Sequence, residues 1–67
     1  MSLVKVIELL AESEKSWEDA VNNAIQDASR TVKNIKSVYV KEFQAVVENN
    51  QVSKYRVNVK LSFLVER

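Results

Sequence analysis

The sequence predicts an α+β fold in the order strand, helix, strand, strand: a three-stranded, antiparallel-type sheet with the third strand central, packed on one helix. Two periodicities carry this. From Tyr55 the chain runs YRVNVKLSFLV, so Tyr55, Val57, Val59, Leu61, Phe63 and Val65 fall on every second residue and share one strand face. Earlier, Trp17, Val21, Ala24, Ile25, Ala28, Val32 and Ile35 recur at spacings of three and four, the stripe of an amphipathic helix. The last strand's other face, Arg56, Asn58, Lys60, Ser62 and Leu64, is too polar for a second ordinary core. It must meet water, a ligand or another copy of the chain.

Taken in order, residues 3–10 (LVKVIELL) are short, β-branched and apolar on both faces, which predicts the first strand. Polar residues follow, and Ser16-x-x-Asp19 opens the helix like a capping box, the Ser hydroxyl accepting an amide hydrogen of the first turn. Glu18 and Asp19 also sit at the positive end of the helix dipole. Ala20, Ala24 and Ala28 keep the helix stripe narrow and allow close approach to a sheet. The second strand is predicted over residues 37–48, with Val38, Val40 and Val46 on one face and Tyr39, Phe43, Ala45 and Val47 on the other, buried from both sides. Asn49 and Asn50 make the hairpin turn, asparagine being the non-glycine residue that best tolerates left-handed backbone. A right-handed crossover makes the first two strands parallel, with the third between them and antiparallel to both. One helix covers one face, so the opposite face predicts an interface.

Composition narrows the function. At 67 residues the chain is a single domain, residues 1–67, with a marginal core. Such folds lean on disulfides, metals or oligomerisation. With neither Cys nor His, disulfides and the usual zinc ligands are gone and oligomerisation is left. Ten Lys plus Arg against nine Asp plus Glu give a net charge of +1, without the one-sided basic field of a nucleic-acid binder. No signal peptide or membrane span is evident, which predicts a soluble, cytoplasmic protein. The lack of Gly excludes glycine-rich phosphate loops. Without His or Cys, and with no base beside any Ser, the expectation is a protein that is not an enzyme.

The residues that carry a resemblance are VKVIEL at 4–9, SWEDA at 16–20 and KYRVNVKLSF at 54–63, together with the length and element order. In these the chain resembles the dodecins, small flavin-binding proteins that assemble into hollow dodecamers, and the resemblance covers nearly the whole chain. It implies a homododecamer that binds and stores a small molecule, with flavin (FMN or riboflavin) as the family's cofactor. Dodecins typically stack a tryptophan at the start of the second strand on the flavin ring, and a glutamine of the third strand hydrogen-bonds its edge. The matching positions here are Ser37 and Arg56, so the cofactor-binding positions are kept while both signature residues differ. Stacking a flat base on an aromatic ring contributes roughly 1–3 kcal/mol, so the change weakens flavin binding. The alternative is a dodecin-like structural assembly that takes ions or anions and no flavin.

Other residues have two readings each. Trp17, the only tryptophan, offers a stacking ring, but its place on the core stripe favours an anchor of helix on sheet or at an interface. Arg56 offers a fork for phosphate or carboxylate, or pairs with Glu8, Glu42 or a neighbouring subunit. Lys60 and Asn58 share its face. Glu8 and Glu42 carry oxygen that suits calcium, yet no acidic cluster has metal-loop spacing; pairing with Lys or Arg is the plainer role.

Overall fold

The computed structural model describes residues 2–66. β1 (Ser2–Ser13), α1 (Trp17–Ala28), β2 (Ile35–Glu48) and β3 (Gln51–Glu66) follow in the expected order. The sheet order is β1-β3-β2, with β3 antiparallel to both neighbours. Among the described residues no helix is long and apolar enough to cross a membrane.

The turn into the helix is built from side chains because no glycine is present to fold it. Ser16, extended at φ −170°, accepts the Asp19 amide hydrogen on its hydroxyl at 2.9 Å, as the cap requires. The Asp19 carboxylate does not return to the Ser16 amide. It takes the hydroxyl of buried Ser13 at 2.6 Å, and Ser13 Oγ in turn accepts the Lys15 amide hydrogen at 2.9 Å. Ser13 is thus part of the fold's framework, and β1 runs past the expected end at Leu10 because Ala11, Glu12 and Ser13 continue the ladder opposite Val57, Arg56 and Tyr55.

The helix ends at Ala28, so Val32 and Ile35, expected on its stripe, lie outside it. The last turn tightens as Arg30 and Thr31 donate to carbonyls three residues back, Asp27 and Ala28. Acidic Asp27 sits at the negative end of the dipole with no basic residue in that turn. Asn34, at φ 64°, then turns the chain into β2 and accepts the Leu64 amide hydrogen at 3.0 Å.

Ala20 and Ala24 press against Val57 and Val59, with Leu9, Ala11, Val38 and Val40 around them. Small side chains let the helix axis sit close to the sheet, and Val57, Val59 and Leu61 are fully buried. Asn49 and Asn50 have φ of 53° and 62°, the left-handed pair a two-residue hairpin needs.

β2 departs from the expected alternation. Val40 pairs with Val59 and Glu42 with Asn58, leaving Lys41 as an extra residue in a bulge. The bulge reverses the pattern, so Phe43 joins Val38 and Val40 on the helix side, where Trp17 meets it, while Tyr39 faces the other way. Nor is β2 buried from both sides within the chain. Phe43 is 62% exposed because α1 lies over β1 and β3, Tyr39, 65% exposed, stands on the face away from the helix, and Val47, 61% exposed, lies in the hairpin beyond the end of β1.

Candidate functional site: the open sheet face

The face opposite α1 has two halves. At one end Val4, Val6 and Leu64 surround a serine pair: Ser37 stands opposite Ser62 and the two hydroxyls are hydrogen-bonded. At the other end the face is ionic. Arg56 stands opposite Glu12, and its Nε–H donates to Glu12 Oε2 at 2.7 Å while Nη2 lies 2.5 Å from the same oxygen. Lys54 Nζ is 3.8 Å from Glu12 Oε1. The partner of Arg56 is therefore Glu12, and the expectation of Glu8 or Glu42 is corrected. Glu8 is taken by Lys41, 3.5 Å away, which the β2 bulge brings to this face.

Both carboxyls titrate low. The Arg56 hydrogen bond holds the Glu12 carboxyl below the ordinary glutamate range, helped by the charges of Arg56 and Lys54 and opposed by partial desolvation. For Glu8 the Asn58 amide is the larger cause and the Lys41 charge the next. Asn58 Oδ1 is buried without a hydrogen-bond partner between these groups.

The two positions singled out in the sequence are not adjacent in one protomer. The partner of Ser37 on β3 is Ser62, and six residues of strand separate it from Arg56, roughly 20 Å at the usual rise. One copy presents the two as separate patches. Trp17 is on the other side of the sheet altogether. Its indole N–H donates to the Gln44 carbonyl at 2.8 Å, and its ring meets Tyr55 and Phe43 edge-on at centroid distances of 5.0 and 5.9 Å. It anchors the helix start to β2 and β3.

Glu12 was missed from the sequence because it lies beyond the apolar run that marked the first strand. Extending that strand against the third in antiparallel register places it opposite Arg56. Among the described residues of one chain no group of three or more acidic, His or Cys side chains could hold a metal ion. Glu8 and Glu12 are each held by cations.

Comparison with known proteins gives a consistent picture. The family model Dodecin matches residues 3–66. Calcium dodecin of Mycobacterium tuberculosis is 35% identical over 63 residues, covering 94% of this chain and 89% of that protein. Among solved structures, dodecin from Streptomyces coelicolor superposes with a TM-score of 0.94 at 29% identity, covering 98% of this chain and 94% of the other. A crystal structure of the calcium dodecin, described as having a novel calcium-binding site, gives 0.82 at 33% identity over 91% of this chain and 87% of that one.

Proposed function

The chain belongs to the dodecin family, and from that premise we propose that it is a non-catalytic small-molecule binding and storage protein, working as a homododecamer whose open sheet faces meet the ligand. One observation carries the proposal: the face opposite the helix is apolar and uncovered at one end, with Val4 64%, Val6 58% and Tyr39 65% exposed, and ionic at the other. Apolar surface of this kind, rimmed by polar groups, belongs to interfaces and ligand sites. A second feature supports self-association. β1 ends opposite Tyr55, so residues 46–54 form a hairpin arm without a third strand or a helix, and a lone two-stranded hairpin is marginal in water.

Ser37 and Arg56 are the proposed contact positions. Their separation in one protomer means that a ligand touching both takes them from two copies. The flavin reading is weak on the residues present, because a ring laid on Ser37 finds the Ser37–Ser62 hydroxyl pair where an aromatic face would stack. Tyr39 is the aromatic residue exposed on the same face. The second reading, an assembly that binds ions, draws on the name of the M. tuberculosis relative. The paired carboxylates described above give it no donor cluster within one chain.

An absorbance spectrum of the freshly purified protein is the test. Storage of a bound chromophore predicts ligand absorbance that follows the protein through size exclusion and leaves on denaturation. A spectrum of protein alone, unchanged by added riboflavin or FMN, would overturn flavin storage.

A further inference from the structure

We propose that Glu12 sets the ligand specificity of the open face: it occupies Arg56 and Lys54 as a built-in anion, so that the site admits uncharged ligand groups and turns away phosphate and carboxylate groups. This rests on the open face being the ligand face.

Lys54 and Arg56 lie two apart on β3 and project to one side, a planar fork beside a point charge, the combination that binds oxyanions. Glu12 already fills that arrangement. Register places it directly across from Arg56, and both of its oxygens are engaged: Oε2 with Arg56 Nε and Nη2 at 2.7 and 2.5 Å, Oε1 toward Lys54 Nζ at 3.8 Å. Because strand pairing delivers this carboxylate, it competes at an effective concentration that a free anion does not match. The pair is not sealed away, since the Arg56 and Glu12 side chains are 34% and 35% exposed. An incoming anion meets Arg56 beside the like charge of Glu12, whether it takes the donors that Glu12 leaves free or displaces it. An uncharged acceptor, such as a carbonyl or ring nitrogen, meets no such repulsion, and the Arg56 fork has donors beyond those held by Glu12.

The test uses inorganic phosphate as the probe at constant ionic strength, read by calorimetry and by the melting temperature of the assembled protein. Wild type is expected to be indifferent to phosphate. Glu12→Gln, which keeps the shape and removes the charge, is expected to bind phosphate about tenfold or more tightly, the scale of deleting a like charge at contact distance. Adding Arg56→Gln to Glu12→Gln should abolish the gain. Should Glu12→Gln fail to assemble, Glu12→Ser replaces it, a smaller side chain that also lacks the charge. Phosphate binding by wild type as tight as by the variant overturns the proposal, as does an assembled variant that gains none. A colourless protein whose Glu12→Gln variant gains phosphate binding would sink the flavin reading and leave this one standing.

Discussion

Arg56 and Glu12, 44 residues apart in the chain, meet across β1 and β3, with the Arg56 Nε–H donating to Glu12 Oε2 at 2.7 Å. The guanidinium fork of the open face is thereby paired within its own sheet. Lys41 and Glu8 repeat the arrangement across the face at 3.5 Å. The face is accordingly a surface of compensated charges, which suits neutral ligands and the close approach of other copies better than a bare basic patch would.

The pairs give stability a defined pH dependence. Glu12 and Glu8 titrate below the ordinary glutamate value, Glu12 chiefly through the Arg56 hydrogen bond and Glu8 chiefly through Asn58. A carboxyl whose folded pKa is depressed contributes stability that is fully present above its unfolded pKa, about 4.3, and is lost as pH falls through the lower folded value. Wild-type melting temperature should therefore fall below about pH 4.3, and Glu12→Gln should show a shallower fall over that window. Equal slopes in the two proteins would remove the pair from the account. At pH 7, Arg56→Ala is expected to lower the melting temperature, because it leaves Glu12 with Lys54 alone. A higher melting temperature would mean that the cation repels its neighbours instead.

Flavin affinity should respond to the two altered positions. Wild type is expected to quench riboflavin or FMN fluorescence weakly at micromolar protein. Ser37→Trp with Arg56→Gln restores the stack and the hydrogen-bonding edge, and should tighten binding by about tenfold to a hundredfold, the scale of one base–aromatic contact. Strong quenching by wild type would point to another ring, with Tyr39 on the same face as the candidate.

The hairpin turn supplies a test independent of any ligand. Asn50 holds φ 62° and Asn49 φ 53°. Replacing Asn50 with Ala puts a less tolerant residue into left-handed backbone, at a cost of about 1 kcal/mol. In a domain this small that lowers the melting temperature by roughly 4–8 °C. Asn50→Gly should be neutral or stabilising, and thermal melts of both variants check the pair.

Much of this was legible in the sequence, for physical reasons. The alternation from Tyr55 to Val65 names the central strand because a period of two survives wherever a strand stays regular, and Val57, Val59 and Leu61 are indeed fully buried. Ser16 and Asn49-Asn50 are local signals that need no tertiary knowledge. Three features were not legible. The bulge at Lys41 is a backbone event in a strand with apolar residues on both faces, so its alternation carried no mark of the reversal. The helix stripe continues arithmetically through Val32 and Ile35, although the turn has already tightened at Arg30 and Thr31. The Glu12–Arg56 pair depends on long-range register, which composition does not contain. For the site, the same register explains why Ser37 and Arg56, each identifiable singly, stand apart in one protomer.

Self-assembly is the central claim, and light scattering coupled to size exclusion tests it most directly. The exposed apolar end of the open face, with Val4, Val6 and Tyr39, and the unsupported hairpin arm predict a closed oligomer with no stable folded monomer at micromolar concentration. The expected mass is about twelve times the 7.7 kDa of one chain. A well-folded, monodisperse species of 7.7 kDa would contradict the account.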